Sequence, residues 1–449
     1  MLRLLKEKIL LLSRSREVTQ KVEFLFEMDQ VPVTRGFLFV GGWVDLDMNR
    51  YISLLLFIGT TFWNCEPEKE EYKIFIEPFG NGGPEDFNCV KQTKDDGYVV
   101  VGWMISPGKY SDMWFIKTDS DGNEEWNKNF GGSEPYIERA NHVHQTSDGG
   151  YSILGFKSLP QGYLTSQDEV WLIKTDKNGK GEWNYLYGTA IEDGDDQIGV
   201  CHQLTSDGGY IIVGDTKFRQ ISDILLLKVD CRGNQEWSKS FGGVSNDYGV
   251  FVQETYDGGY ILVGNTLSFG SGGQDIILIK TDWEGNEDWK KTFGGESYEY
   301  SKFLLLSPDG GYVFGGSTNS FGNGDYDAWI IKTDNMGNIE WEKTYGDEEM
   351  DGACSCQHTR DGGYIVAGTK SKNDTAKVFL LQIGEYGSIK WEKTNIIEEK
   401  VYCRSIQQTS DKGFIIAGSS RAFGGPSIDT SPSGGVLIKT DPDGNTASY

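Results

Sequence analysis

One short motif recurs seven times along this 449-residue chain and constrains the fold more than any other feature. The motif is Asp-Gly-Gly-Tyr, with Asp-Asp-Gly-Tyr in the first copy and Asp-Lys-Gly-Phe in the last. The copies begin, at intervals of 50 to 59 residues, at Asp95, Asp148, Asp207, Asp257, Asp309, Asp361 and Asp411. A fixed period of this kind indicates that one supersecondary unit is stacked many times. The chain is therefore predicted to contain seven copies of one unit.

A second motif follows the first in each copy, and together they divide the copy into four predicted strands. In the fourth copy the second motif is Ile277–Asp282, then Gly285-Asn286, Trp289 and Phe293-Gly294-Gly295. The first strand ends before Asp-Gly-Gly, which forms a tight hairpin turn because Gly readily adopts a positive φ. The second strand begins at the Tyr, the third is the apolar run before Lys-Thr-Asp, and the fourth is centred on the Trp.

The third strand decides between the possible architectures of such sheets. Segments such as Asp327–Ile331 and Val170–Ile173 are apolar on both faces, whereas a sheet with one solvated face shows alternation. In a β-propeller each sheet is covered on both sides by its neighbours. The sequence therefore predicts an all-β, seven-bladed propeller of four-stranded antiparallel blades, with the recurring Trp filling the gap between blades near the rim.

The two ends of the repeat region predict how the ring closes. The seventh copy stops at Tyr449 without a fourth strand, while Phe75–Gly80 aligns with Trp289–Gly294 and has Phe75 in the Trp position. We expect this N-terminal strand to complete the last blade and remove a free sheet edge. One domain over residues 70–449 follows from this arrangement.

The repeat unit resembles the β-propeller repeats of secreted bacterial and archaeal surface proteins, over nearly all of residues 75–449. This resemblance implies a fold and an extracytoplasmic setting, but no defined reaction. The sixth copy departs from the unit, because Gln382-Ile383-Gly384 replaces Lys-Thr-Asp and Asn395 replaces the closing Phe. A more distant similarity links Asp282…Trp289 to the repeats of quinoprotein-like propellers, although the Asp-to-Gly spacing differs and the family's Thr is missing.

The first 65 residues are predicted to direct export rather than to fold with the repeats. From Met48, a basic residue precedes about thirteen mostly apolar residues, which matches a signal-peptide core and is too short to span a bilayer. Cys65 ends this segment where a lipoprotein is lipidated, although Asn64 and Phe62 are unusual there. Residues 48–65 are therefore interpreted as a signal peptide of possible lipoprotein type; simple secretion and a retained anchor remain open. Residues 1–47 are interpreted as a non-native upstream extension, or alternatively as a genuine disordered or helical extension.

The charge excludes one class of partner. The formal net charge is −25, and residues after position 64 carry 34 Lys and Arg against 60 Asp and Glu. Such a surface repels phosphate backbones and anionic lipids. Nucleic acid is therefore excluded as a partner, and membrane contact is expected only through a lipid anchor or retained signal segment. The chain is expected to be a monomer that binds a protein, a polysaccharide or a cation.

The topology points to one face of the propeller as the candidate site. Turns from first to second and from third to fourth strand are tight, whereas second-to-third and blade-to-blade connections vary, the longest being Phe156–Glu169 and Ser419–Gly435. Binding residues concentrate on variable loops held by a rigid scaffold. The blade-to-blade loops repeatedly carry acids, and the ligand-binding candidates among them are Asp86, Glu138, Asp196, Asp247, Glu299 and Asp351. A ring of carboxylates suits Ca²⁺; alternatively the acids cap turns. No cofactor is otherwise predicted.

Polar residues on the first strands are candidates for lining the central channel. The residues four positions before the motif Asp are Lys91, His144, Gln203, Gln253, Gln357 and Gln407, and the fifth copy has Leu305 there. These side chains either line the channel or form hydrogen bonds between blades. All four His and five of the seven Cys also lie in or near first strands, which invites a metal or nucleophile hypothesis. Their scatter over non-equivalent positions favours packing instead.

The near-identity of the blades favours a binding function over catalysis, because catalysis normally requires one blade to differ in a concentrated way. No Ser-His-Asp set, carboxylate pair in a cleft or phosphate-cradling loop stands out. The sequence thus predicts an exported, non-enzymatic binding or scaffold propeller, secreted, periplasmic or lipid-anchored. The alternative is an enzyme, either a quinoprotein-like oxidoreductase or one that acts on polysaccharides.

Overall fold

The computed structural model describes the repeat region with several gaps. The described residues are 72–80, 84–105, 110–132, 136–160, 166–188, 196–218, 221–372, 375–394, 400–420 and 434–447. They belong to one compact unit, Glu71–Tyr449. The predictions for residues 1–47, for the signal segment with Cys65, and for most of Ser419–Gly435 lie outside the described residues.

Twenty-eight strands form seven four-stranded antiparallel sheets in the described part of the chain, here called blades 1 to 7. Strand β1 (Phe75–Phe79) precedes blade 1. Blades 1 to 3 contain β2 (Glu85–Gln92), β3 (Tyr98–Met104), β4 (Asp112–Thr118), β5 (Glu124–Phe130); β6 (Glu138–Gln145), β7 (Tyr151–Pro160), β8 (Ser166–Thr175), β9 (Gly181–Tyr187); and β10 (Asp196–Leu204), β11 (Tyr210–Phe218), β12 (Ile221–Val229), β13 (Gln235–Phe241).

The later blades follow the same order. Blades 4 to 6 contain β14 (Asp247–Glu254), β15 (Tyr260–Thr266), β16 (Asp275–Thr281), β17 (Glu287–Phe293); β18 (Glu299–Leu306), β19 (Tyr312–Thr318), β20 (Asp327–Thr333), β21 (Ile339–Tyr345); and β22 (Met350–His358), β23 (Tyr364–Lys372), β24 (Thr375–Ile383), β25 (Ile389–Thr394). Blade 7 contains β26 (Val401–Gln408), β27 (Phe414–Ser420) and β28 (Gly434–Thr440). The prediction of a seven-bladed, all-β propeller is confirmed.

The fourth strand of blade 7 comes from the other end of the repeat region. Its strand order is β1-β28-β27-β26, with Phe75 opposite Lys439 and Phe79 opposite Gly435. Strand β2 of blade 1 in turn packs on β26 and β27 of blade 7. Blade 7 therefore has the same four-stranded form as the others, and the edge of β28 is paired.

Burial falls from the third strand to the fourth strand of each blade. Every residue of β4, β16, β20 and β28 is buried, whereas β5 and β21 are mostly exposed. The fourth-strand Trp is half-buried and contacts the motif Tyr of the next blade, as between Trp289 and Tyr312 with ring centroids 6.2 Å apart. Phe75 makes the equivalent contact with Tyr98 at 6.0 Å. These aromatic pairs fill the space between neighbouring blades near the rim.

The turn between the first and second strands requires a left-handed residue in every blade. In blades 2 to 6 this residue is the first Gly of Asp-Gly-Gly, for example Gly258 with φ of 83°. In blades 1 and 7 the same position holds Asp96 (φ 63°) and Lys412 (φ 69°), so two non-glycine residues adopt the strained conformation. The turn geometry is thus imposed by the repeat even where the sequence varies.

One predicted loop is wrong. Residues 156–169 were expected to form a long loop, but β7 and β8 continue as a paired hairpin as far as Pro160 opposite Ser166. The pairing persists because polar residues meet across the hairpin, where the Ser158 hydroxyl donates a hydrogen bond to Asp168. The variable part of this connection is therefore confined to its tip.

Candidate functional site

The predicted acids lie at or next to the first residue of the first strands, and all of them except Asp196 are buried. Asp247 and Glu299 are the first residues of β14 and β18 and are 1% and 0% exposed. Glu138 and Asp351 are also buried, while Asp196 is partly exposed. In blade 1 the equivalent residue is Glu85 rather than the predicted Asp86, because Glu85 lies opposite Met104 as Glu299 lies opposite Thr318. These acids lie on the face formed by second-to-third and blade-to-blade connections, here called the loop face.

The buried acids hold the loop backbones together. Glu299 accepts hydrogen bonds from the Gly295 N–H (3.0 Å) and the Thr318 hydroxyl (2.9 Å). Asp247 accepts from the Gly243 N–H at 2.9 Å, and Asp351 from the N–H of residue 347 at 2.9 Å. Each acid therefore fixes the blade-to-blade loop that precedes it. The geometry supports the capping alternative for these residues.

Lysines neutralise some of these acids but not others. In blades 2 and 6 the opposite residue on the second strand is a lysine, forming the pairs Glu138–Lys157 (2.8 Å) and Asp351–Lys370 (3.7 Å). In blade 3 the equivalent pair is Gln197 and Thr216, and Asp196, one residue earlier, forms an ion pair with Lys217 at 3.4 Å. In blades 4 and 5 that position holds Thr266 and Thr318. Within the described residues no ion pair reaches Asp247 or Glu299. Asp86 pairs with Arg404 at 2.9 Å.

A second row of acids, which sequence reasoning missed, lies at or near the start of the third strands. Its members occupy the position six before the end of the strand and are Asp112, Glu169, Asp223, Asp275 and Asp327. The glycine that follows each fourth strand lies directly against this acid. A Cβ at Gly294 would lie 1.6 Å from Asp275 Oδ1, and one at Gly346 would lie 1.9 Å from Asp327 Oδ1. The first Gly of Phe-Gly-Gly is therefore required by the neighbouring carboxylate, and the recurring Asp was the available signal.

Three of the predicted channel residues connect adjacent blades through hydrogen bonds. The side-chain oxygens of Gln253, Gln357 and Gln407 accept from backbone N–H groups of the next blade at 2.9, 3.2 and 2.6 Å, donated by Leu306, Gln408 and Gln92. Each bond joins the first strand of one blade to the first strand of the next, including blade 7 to blade 1. Lys91, Gln203 and Leu305 are half-buried at the same position.

Three histidines meet between blades 2 and 3. His142 Nδ1 lies 3.4 Å from His202 Nδ1, the other ring nitrogen of His202 lies 2.8 Å from the Ser152 hydroxyl, and His144 Nε2 lies 3.0 Å from the His202 carbonyl. Burial, with a further contribution from the charge of Lys91, lowers the pKa of His144 to about 3. Burial also lowers the pKa of His142 and His202 well below the ordinary value. The cluster is therefore neutral at pH 7 and packs the inner strands, whereas His358 bonds separately to Leu306.

The described cysteines divide into a bridge, three buried thiols and one exposed thiol, Cys231. Cys354 and Cys403 form a disulfide between blades 6 and 7, so for this pair the packing interpretation is wrong. The sequence placed Cys354 beside Cys356, but the ring brings the first strands of successive blades together instead. Cys89, Cys201 and Cys356 are buried and free, and burial raises the pKa of Cys201 to about 12. A thiol with such a pKa is a poor nucleophile at pH 7.

A polar side chain on each of several second strands caps an irregularity in the next first strand. The strand register shifts between Gly249 and Phe251 in blade 4, and the Gly249 N–H donates to Asp215 of blade 3 at 2.9 Å. In the next blade the same role belongs to Asn265, which accepts from the Ser301 N–H at 2.7 Å. Desolvation raises the pKa of Asp215 to about 7, although the bond from Gly249 opposes this shift.

Exposed apolar side chains recur on neighbouring loops of the loop face in blades 3 to 5. Val244, Leu267, Tyr298 and Phe321 are 85%, 41%, 48% and 42% exposed. The Leu267 N–H donates to the carbonyl of residue 246, which lies in the same loop as Val244, at 3.0 Å. The N–H of residue 319, in the same loop as Phe321, donates to the Tyr298 carbonyl, also at 3.0 Å. Tyr298 also lies against Gly273 of the preceding second-to-third loop. These four side chains, here called the apolar band, therefore lie on neighbouring loops that backbone hydrogen bonds join to one another.

Three further features of the described residues bear on ligand or membrane binding. No group of three or more His, Cys, Asp or Glu is placed to hold a metal ion there. A cavity of about 260 Å³ lies between blades 5 and 6, lined by residues that include Tyr345, Asp351, Lys370 and Glu392, but its lysine is already paired with acids. Among the described residues no helix is long and apolar enough to cross a membrane.

The arrangement of sheets defines the class of the chain as a seven-bladed β-propeller. The chain was also compared with known proteins. No family model matches the chain, and no curated protein matches it in sequence. A puromycin hydrolase structure is 13% identical with a TM-score of 0.48, covering 74% of this chain and 50% of its own length. Thus the chain spans about half of that protein.

Two further structures are matched over nearly their whole length. Sqt1 of Chaetomium thermophilum, bound to the N-terminus of ribosomal protein L10, is 10% identical with a TM-score of 0.45, covering 81% of this chain and 98% of that one. BBS1N in complex with ARL6DN is 10% identical with a TM-score of 0.43, covering 82% and 96%. These likenesses concern the fold alone.

Proposed function

We propose that this chain is an exported, non-enzymatic binding propeller that holds a protein partner on the loop face of blades 3 to 5. The observation that carries the proposal is the apolar band formed by Val244, Leu267, Tyr298 and Phe321. Apolar side chains exposed singly are ordinary on a protein surface, but several of them on adjoining loops favour an interaction site.

Rigidity of the loops supports binding at this band. Gly243 and Gly295 lie directly against Phe269 and Phe321 of the adjacent second-to-third loops, so a side chain at either glycine would collide. The Ser297 N–H also donates to the Ser320 hydroxyl at 2.9 Å, which joins two loops. A preorganised surface binds with a smaller entropic cost than one that must be ordered.

Charge on the loop face indicates the chemistry of the partner. The exposed acids beside the band include Glu296, Asp325 and Glu348. With the strongly negative charge of the whole chain, these favour a partner segment that presents apolar side chains flanked by lysines or arginines. Apolar contact supplies the affinity and charge the rate of association.

The disulfide supports the export part of the proposal. Bridges such as Cys354–Cys403 persist in oxidising compartments and are rare in reducing ones. We expect mature protein recovered outside the cytoplasm to contain this bridge and to begin within or after the segment Met48–Cys65, with Cys65 the candidate for lipidation. N-terminal sequencing and intact mass of exported material test this. Reduced Cys354 in such material contradicts it.

Site-specific photo-crosslinking in the native cell tests the binding face. A photoreactive residue at Tyr298 is expected to capture one discrete protein, and the additional change Val244→Glu is expected to abolish the product. Tyr386, which is 75% exposed in a turn on the opposite face, provides the matched control. Equal capture from both positions would overturn the proposal. So would binding of the protein to carbohydrates on a glycan array without capture of any protein from Tyr298.

A further inference from the structure

We propose that the junction between blades 4 and 5 binds one Ca²⁺ ion between Asp275 and Glu299. This site is distinct from the protein-binding band, and it also differs from a ring of acids around the channel. It lies between two blades and stabilises their contact. The junction between blades 3 and 4, with Asp223 and Asp247, is a second instance of the same arrangement.

The two carboxylates of the site are buried and converge on one point. Asp275 begins β16 and is 1% exposed, while Glu299 begins β18 and is 0% exposed. A Cβ at Gly294 would lie 1.6 Å from Asp275 Oδ1 and 2.6 Å from Glu299 Oε2. The two oxygens are therefore close neighbours on either side of that glycine.

One oxygen of this pair lacks any hydrogen bond. Asp275 Oδ2 accepts from the Ser271 N–H at 2.6 Å, but the buried Oδ1 has no hydrogen-bond partner within the described residues. Buried carboxylate oxygens are costly unless they are paired, bonded or bound to a metal. Asp327 Oδ1, at the equivalent position, also lacks a hydrogen bond, so it is the absence of a lysine that distinguishes this junction. An ion at this position supplies the missing partner.

Comparison between blades shows what the junction lacks. In blades 2 and 6 a lysine on the second strand neutralises the first-strand acid, as Lys370 does for Asp351. In blade 5 the corresponding residue is Thr318, which supplies only a hydroxyl to Glu299. The pair Asp275–Glu299 therefore carries two facing acids without the cation that the equivalent pair Asp327–Asp351 possesses.

Oxygen donors select a hard divalent cation. Ca²⁺ accepts six to eight oxygen ligands with flexible geometry, so two carboxylates can be supplemented by backbone carbonyls and water. Two charged ligands correspond to the weak range of extracellular modules, with a Kd on the order of 10⁻⁴–10⁻³ M. A shared proton is the competing solution, since burial and the charge of Glu299 raise the pKa of Asp275.

Titration of the chelator-treated protein with CaCl2 at constant ionic strength tests the site. At pH 7.5 we expect calorimetric binding and a rise in Tm of about 2–4 °C at millimolar Ca²⁺. Asp275→Asn keeps the shape but removes one charge, so it should weaken Ca²⁺ binding at this junction at least ten-fold and leave only the Asp223–Asp247 junction to respond. It should also raise the Tm of the Ca²⁺-free protein, because the repulsion is relieved.

The junction between blades 5 and 6 provides matched controls. Asp327→Asn removes the equivalent acid where Lys370 already supplies a cation, so the Ca²⁺ response should be unchanged. Lys370→Thr should add a further Ca²⁺-dependent rise in Tm. Equal loss of the response in Asp275→Asn and Asp327→Asn would mean nonspecific screening and overturn the proposal. The proposal would also be overturned if the wild-type Tm did not respond to Ca²⁺ but rose as the pH was lowered from 7 to 5, because that result would identify a shared proton.

Discussion

At the residue scale, one turn position is occupied by Gly258 in blade 4 and by Lys412 in blade 7. Substitutions at this position measure the energetic effect of one backbone dihedral angle. Both residues have positive φ, 83° and 69°, and both follow the motif Asp. A lysine in this conformation is strained by its Cβ, whereas glycine is not. The blades therefore differ in local stability at a position where they share one backbone shape.

Lys412→Gly is expected to stabilise the protein by about 0.5–1 kcal/mol, because it removes this strain. Urea unfolding measures the change. Gly258→Ala is the reverse control, since no atom lies within 4 Å of the Cβ it would introduce and only the dihedral is altered. It should destabilise by a similar amount. A destabilised Lys412→Gly protein would show that the lysine side chain contributes more than its strain costs.

Asp215 gives the clearest pH dependence. Its pKa of about 7 in the folded protein exceeds the ordinary value of 3.8, so the folded state holds an extra proton between these pH values. Stability is therefore lost as the pH rises through this window. Asp215→Asn, which reproduces Asn265 of blade 4, should stabilise by about 1–3 kcal/mol at pH 8 and have little effect at pH 4.

Urea midpoints at the two pH values measure this difference. Asn265→Asp is the matched converse, because Asn265 accepts the equivalent bond from the Ser301 N–H. It should create a new loss of stability above neutral pH. An Asp215→Asn effect that is the same at pH 4 and pH 8 would exclude titration of Asp215 as the cause.

At the scale of the element, a buried lysine joins the third strand to the first turn of each blade except blade 6. Lys332, 3% exposed, bonds to Asp309 (2.7 Å), Glu340 (2.6 Å) and the Thr333 carbonyl (3.0 Å). In blade 6 the amide of Gln382 bonds to the motif Asp instead. Thus the lysine of the Lys-Thr-Asp motif links the third strand to the first turn and to the fourth strand, which explains its recurrence.

Lys332→Met is expected to destabilise by about 1–3 kcal/mol, since it leaves the carbonyl and both acids without their donor. Lys332→Gln, which reproduces blade 6, should cost less. Bonds to Lys332 lower the pKa of Asp309 although its partial burial opposes this, so the difference should shrink as the pH falls below about 4. Lys343→Met, at an exposed lysine on β21, is the control and should change stability by less than about 0.5 kcal/mol.

At the scale of the whole molecule, β1 is the strand that pairs with the edge of β28. It contributes Phe75 and Ile76, each 8% exposed, and five paired residues opposite Gly435–Lys439. Without it, β28 would present unpaired N–H and carbonyl groups to solvent. The contact between blades 7 and 1 would also lose the Phe75–Tyr98 pair.

A chain that begins at residue 84 is therefore expected to be less stable than one that begins at residue 72, by at least about 3 kcal/mol. The shorter chain should also aggregate through the exposed edge of β28. Thermal unfolding and light scattering measure both effects. Equal stability of the two chains would mean that β1 contributes nothing to the ring.

The sequence by itself determined the repeated features of this protein. Seven Asp-Gly-Gly turns, apolar third strands and fourth-strand aromatics are local patterns, and each predicts the same blade wherever it occurs. The number of blades and their four-stranded form followed from these patterns alone. The extension of the hairpin into residues 156–169 was missed because polar residues in an extended hairpin carry no apolar alternation.

Only the tertiary structure decided what the individual polar residues do. The ring places Cys354 beside Cys403 and Asp275 beside Glu299, although 49 and 24 residues separate them in the chain. It also buries acids that the sequence placed on a loop, because the next blade covers them. Contacts between blades depend on which residues of two copies face each other, and a repeat pattern within one copy does not contain that information.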